Sequence, residues 1–117
     1  QTQFEEVDIT LEANTILRSL DALDWNYGAA TVIDIVHGGK SQKILGKNLD
    51  KNPEYAVLSE RTVPRLRQIL RELQFREYVE EKGEQYPVIC LTPEGKAFMK
   101  TEEPLIMKLT KEKKKKK

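Results

Sequence analysis

Seven consecutive residues, His37-Gly38-Gly39-Lys40-Ser41-Gln42-Lys43, assemble the parts of an anion site. The two glycines let the backbone approach a phosphate closely. Ser41 and Gln42 supply neutral donors next to a helix start, and Lys40 and Lys43 add positive charge. The same run also suits a plainer use, a glycine helix stop followed by an ordinary polar cap. The residues alone leave both readings open. Further along, Arg61, Arg65 and Arg71 recur with Gln68 on the polar side of an amphipathic stretch and offer more cations. Tyr86 lies between Gln85 and Pro87, beside a Gly83-Glu84 turn. An aromatic ring at a hairpin tip can stack on an opened base pair, which contributes ~1–3 kcal/mol per base. The alternative is a tyrosine packed on the strand beneath it.

Other chemistry is harder to build. His37 is the only histidine, and no Cys, Asp or Glu cluster at ligand spacing surrounds it, so no metal site is expected. Cys90 is the sole cysteine, which rules out an intramolecular disulfide framework and a cysteine-built zinc site. Between Ile89 and Leu91 it reads as a buried structural thiol. There is no GxxxxGK[ST] loop for a nucleoside triphosphate. No catalytic residue is expected in this chain.

The 117 residues fit one small domain with tails to spare. No apolar run approaches the ~18–20 residues of a membrane span. The opening QTQFEEVDIT is polar and acidic, unlike a signal peptide. A start at Gln1 reads as a piece of a longer protein, and the cysteine usage suits a reducing compartment. Net charge is +1, yet the charges are segregated. Residues 1–35 hold seven acids against one base, and residues 36–76 hold nine bases against four acids. Residues 77–107 hold seven acids and three bases, and residues 108–117 seven bases and one acid. The central basic block is either an electrostatic footprint for phosphate or simply solvated surface.

The elements that must position these residues follow from periodicity and punctuation. Thr10 is placed to cap a helix carrying Ala13, Ile16, Leu17, Leu20 and Leu23, with Trp25 at its end packing on the core. A second helix, nearly continuous in Val32, Ile33, Ile35 and Val36, stops at Gly38-Gly39. Residues 40–58 read as a short helix and a polar loop bounded by Gly46 and Pro53. The clearest helix spans about 60–74, with Val63, Leu66, Ile69, Leu70 and Leu73 on one stripe and Ser59 or Thr62 as its cap. Two strand-like runs, Arg76–Lys82 and Tyr86–Leu91, form a hairpin in which Tyr86, Val88 and Cys90 alternate against Ile89 and Leu91. Thr92-Pro93 opens a last helix with Ala97 and Phe98 toward the core. Residues 105–109 could add an edge strand. The expected fold is α+β, mainly helical: a winged helix, the helix-turn-helix variant with a β-hairpin wing. Residues 1–9 are its lead-in, 10–109 the domain, and 110–117 a disordered lysine-rich tail or linker.

The segment from Ile35 to Ile44 resembles a signature of the RQC domain, the C-terminal winged helix of RecQ-family DNA helicases. The family's usual version reads roughly Leu-Arg-Gly-Ser, two variable positions, Gln, a basic residue, then Ile or Leu. The likeness continues through Asp8-Ile9-Thr10, Tyr27-Gly28-Ala29, Tyr86-Pro87-Val88 and Leu91-Thr92, and covers about residues 6–109. It implies duplex or forked DNA as partner, a monomer without membrane contact, and a location in the bacterial cytoplasm and nucleoid or in the nucleus. It makes His37, Gly38, Gly39, Lys40, Ser41, Gln42 and Lys43 a phosphate-binding loop and Tyr86 the wedge that splits a terminal base pair. Two positions depart from the pattern: the family's arginine is His37 here and its serine is Gly39. The loop then binds more weakly or leans more on Lys40 and Lys43. The resemblance places an ATP- and Mg-dependent motor upstream, for repair, recombination or replication. A four-cysteine Zn subdomain commonly lies between motor and winged helix, and with one cysteine that part is not in this stretch. No cofactor belongs to the fragment itself. Two rivals remain: a free-standing winged-helix transcription regulator, which would push the 60–74 helix into the major groove, and a protein-docking winged helix that does not bind DNA.

Overall fold

The first helix, α1 (Thr10–Asp21), buries Ala13, Ile16, Leu17 and Leu20, four positions that fall on one stripe at helical spacing. That stripe meets Val32, Ile33 and Val36 of α2 (Ala29–His37) and Leu66, Ile69, Leu70 and Leu73 of α4 (Val63–Phe75). Each of the valine, leucine and isoleucine side chains contributes about 1.5–3 kcal/mol by leaving water. Between α2 and α4 come α3 (Gln42–Gly46) and a 3-10 turn (Leu49–Lys51), whose Ile44 and Leu49 join Ile35 in a second, smaller cluster. This computed structural model describes residues 4–101 and 103–110. The lysine-rich tail lies outside the described residues from Lys111 onward.

The hairpin follows α4. Strands β2 (Val79–Lys82) and β3 (Val88–Leu91) pair antiparallel, Val79 opposite Leu91 and Lys82 opposite Val88. On its other side β3 receives a single bridge, with the Ile89 N–H donating to the Tyr27 carbonyl at 2.8 Å. Helix α5 (Pro93–Met99) then returns to the core through Phe98, whose ring stacks on Tyr78 with centroids 4.7 Å apart. Thr92 caps α5: its hydroxyl accepts from the Gly95 N–H at 3.0 Å and donates to the Glu77 carbonyl at 2.7 Å. Three helices and a two-stranded wing make this α+β chain a winged helix, as the sequence implies.

A second small sheet was not expected as a whole. β1 (Phe4–Asp8) pairs antiparallel with β4 (Ile106–Thr110), Phe4 opposite Thr110 and Asp8 opposite Ile106. The strand expected at 105–109 is thus found, shifted by one residue, and the lead-in supplies its partner.

Several local expectations are corrected. Thr10 is the first residue of α1, not its cap. Its N–H and hydroxyl both donate to the Asp8 carboxylate, while its oxygen accepts from the Leu105 N–H at 2.8 Å. Trp25 is 72% exposed in the α1–α2 loop and does not pack on the core. Helix α4 starts at Val63 rather than near 60, because Thr62 is the cap that accepts from the Arg65 N–H, which puts Pro64 in the first turn. The wing strands are shorter than the apolar runs suggest, and Tyr86 lies in the turn outside them. In α5 the buried positions are Gly95 and Phe98, with Ala97 exposed.

Candidate nucleic-acid interface

Helix α2 ends where Gly38 turns left-handed, at φ 91°, and the N–H groups of Gly38 and Gly39 both donate to the Asp34 carbonyl at 2.8 Å. A Cβ at Gly38 would sit 2.9 Å from the Ala56 Cβ, so the position needs glycine for space as well as for φ. A Cβ at Gly39 would meet the Asp34 carboxyl at the same distance, so a serine there requires that side chain to move aside. The loop is anchored from outside as well. The Tyr55 hydroxyl donates to the Gly39 carbonyl at 2.7 Å. Ser41 caps α3 by accepting from the Ile44 N–H at 3.4 Å, and Ile44 is fully buried. The next carbonyls of α2 are closed by the segment after the 3-10 turn: Ala56 N–H donates to Ile35 at 2.9 Å and Leu58 N–H to Val36 at 2.8 Å.

On this fixed frame Lys40, Ser41, Gln42 and Lys43 are all exposed, and His37 is half-buried behind them. Among the described residues neither lysine enters an ion pair. The arrangement can present two ammonium groups, a hydroxyl and an amide to one anionic strand without first ordering the loop. Among the described residues no group of three or more His, Cys, Asp or Glu could hold a metal ion.

The arginines expected to add cations do not form one surface. Arg61 precedes α4 and its guanidinium Nε pairs with Glu12 at 2.8 Å, tying the α4 entrance to α1. Arg65 is half-buried, and at 100° per residue it points about 120° away from Arg71 around the helix axis. The exposed face of α4 instead carries Arg67, Gln68, Arg71 and Phe75. Arg67 was missed as a candidate, although its spacing of four from Arg71 marks the shared face. Arg71 and Gln68 line a shallow groove with Met107 and Lys108 of β4.

In the wing, Tyr86 is 84% exposed, so its ring has no core role. Gly83, at φ 100°, turns the chain toward it. The strand and turn around the ring carry Glu80, Glu81, Lys82 and Glu84, and Lys82 pairs with Glu80 at 3.5 Å. A groove at the wing base is lined by Glu77, Glu80, Glu81 and Glu94. These carboxylates disfavour phosphate in the groove at the wing base, so DNA gripped at Lys40 and Lys43 gains no charge attraction there. Cys90 is buried and free. No helix among the described residues is long and apolar enough to cross a membrane.

A comparison with curated proteins finds no match. The family model described as the RQC domain matches residues 3–116. RQC domains are DNA-binding, non-catalytic modules at the C-terminal side of RecQ helicases. The match spans nearly the whole sequence and agrees with the winged helix, the glycine stop of α2 and the hairpin, so this chain belongs to the RQC domain family.

Proposed function

We propose that this chain grips duplex or forked DNA for a RecQ-like, ATP-dependent helicase and helps to part the strands with its wing. The observation that carries the reading is the loop at residues 38–43, held rigid by Asp34, Tyr55 and buried Ile44 while Lys40 and Lys43 stay exposed. Because phosphate contacts fix register without reading bases, binding is sequence-tolerant. Tyr86 meets the terminal pair as a ring offered from a turn with little positive charge of its own. Gripping and splitting are therefore assigned to different residues. The chain acts as a monomer at this task. ATP and Mg, with Zn where a cysteine subdomain is present, belong to the motor rather than to this fragment.

A titration with fluorescent duplexes tests the reading. Blunt, forked and sequence-varied duplexes are compared by anisotropy. Preference for the fork with indifference to sequence supports it. A strong preference for one sequence turns the domain into a regulator, and failure to bind any duplex leaves a protein-docking module.

A further inference from the structure

Trp25 stands 72% exposed in the loop between α1 and α2, an expensive place for the largest apolar side chain. Its loop is nevertheless well held. Two residues on, the Tyr27 carbonyl accepts from Ile89 of β3. Across the gap, Asn52 donates from its side-chain amide to the Ser19 carbonyl at 3.1 Å, and its Oδ1 accepts from the Glu54 N–H at 2.9 Å. Between these two anchored segments lies a groove of about 310 Å³, walled by Trp25 on one side and by Lys47, Asn48 and Lys51 on the other. Asn48 holds a left-handed backbone at φ 57°, and among the described residues its side chain makes no hydrogen bond to the protein. Neither Lys47 nor Lys51 enters an ion pair among the described residues. Asp24 is the one acid in the lining, against two lysines.

An exposed indole stacks on any base, two mobile ammonium groups hold phosphates, and a free amide can hydrogen-bond a base edge. Together these match single-stranded nucleic acid, whose bases are available for stacking, and do not match a duplex, whose bases are already stacked. The position fits as well. A Cβ at Gly28 would lie 3.2 Å from the Pro87 carbonyl, so the loop abuts the wing turn next to Tyr86. Trp25, three residues before Gly28, is then within about 10 Å of that contact along the chain. We infer that the groove beside Trp25 is a binding site for single-stranded DNA, receiving a strand freed at the wing, with Trp25 as the stacking platform and Lys47 and Lys51 on the phosphates. The inference rests on the DNA-binding reading above and extends it from the duplex to the product strand.

Trp25 is the only tryptophan, so its fluorescence reports on the site directly. The whole chain is titrated with an oligothymidylate and, separately, with a blunt duplex, following indole emission and the anisotropy of labelled DNA together. The expected result is saturable quenching by the single strand and little quenching by the duplex. Trp25→Ala should lower single-strand affinity about 5- to 150-fold and leave duplex affinity unchanged, and Trp25→Phe should restore part of the loss. Lys47→Ala with Lys51→Ala should shift the quenching curve to higher DNA concentration. Absent quenching by the single strand while the duplex still binds overturns the site and spares the duplex reading. Equal quenching by both DNAs also overturns it. Failure of the duplex alone to bind, with single-strand quenching intact, removes the duplex reading and keeps this groove.

Discussion

The hydroxyl of Tyr55 and the carbonyl of Gly39 are 2.7 Å apart, so the residue immediately before Lys40 is held by a side chain sixteen positions further along. Tyr55→Phe keeps the ring and deletes only this bond, at a cost of about 0.5–1.5 kcal/mol in stability. Duplex affinity should fall with it, because Lys40 and Lys43 must then be ordered on binding. Anisotropy with a labelled duplex checks this. Unchanged affinity would mean that the loop is rigid without Tyr55, or does not touch DNA.

Replacing Lys40 and Lys43 with alanine should weaken binding and leave the fold intact, since both are exposed and such truncations usually change stability by no more than about 0.5 kcal/mol. Each phosphate contact adds about 0.9 to the slope of log affinity on log salt, so losing two should flatten it by about 2. The comparison is made on a chain ending at Thr110, because the terminal lysines alone would mimic the effect. A slope untouched by the double substitution moves the contact elsewhere, with Arg67 and Arg71 next in line.

Tyr86→Ala should leave the melting temperature near that of the parent, because the ring is in solvent. Its effect should appear only where a base pair opens. With 2-aminopurine in the terminal pair of a duplex, the parent chain should raise fluorescence and the variant should not, and binding should weaken by at most ~1–3 kcal/mol. An equal rise with both proteins removes Tyr86 from strand opening.

Gly95→Ala should be among the most damaging single substitutions. Gly95 is buried, and a Cβ there would run into the Tyr78 carbonyl, which is backbone and cannot step aside. A loss of ~1–3 kcal/mol or more is expected, seen as a lower thermal midpoint. A native-like melt would show that α5 can slide off the strand beneath it.

Hydrogen bonds from the Thr10 hydroxyl, and then from its backbone N–H, hold the Asp8 carboxyl below its ordinary value of 3.8. A depressed carboxylate stabilises the fold fully above its unfolded value, and the benefit disappears as pH falls through the lower folded one. Asp8→Asn should therefore melt below the parent at neutral pH, with the gap closing below about pH 4. A gap that stays constant down to pH 2 would show that charge at Asp8 is not what ties α1 to its neighbour.

What could be read in the sequence was mostly what is decided within a few residues. The left-handed stop at Gly38, the Thr92 cap and the buried stripe of α4 each depend on neighbours one turn away, and each is found; of Ser59 and Thr62, both offered by the sequence, Thr62 is the cap. The β1–β4 sheet joins residues about a hundred positions apart, and nothing local in FEEVD signals a distant partner. Thr10 looked like a cap because threonine commonly is one, but the Asp8 carboxylate takes its N–H and hydroxyl, and its oxygen is engaged by the distant Leu105 N–H instead. Arg61 looked free for phosphate, and only packing of α1 against the α4 entrance reveals Glu12 beside it. Apolar character argued for burying Trp25, whereas the loop closes around Tyr27 instead. The loop at 37–43 was legible as a candidate because its glycines and lysines are contiguous; the Tyr55 brace was not, since its partner is a carbonyl that no side-chain pattern marks.

The pairing of Phe4 with Thr110 has a mechanical meaning. Tension applied between these two residues is carried by β1 and β4 from their open end. Their cross-strand bonds are then broken in succession from Phe4–Thr110 toward Asp8–Ile106, as in a zipper, and are never sheared all at once. Force drawn through the polypeptide on either side would thus peel this ribbon first and reach the three-helix core last, making β1–β4 a compliant tether and α1, α2 and α4 the stiff body that it holds.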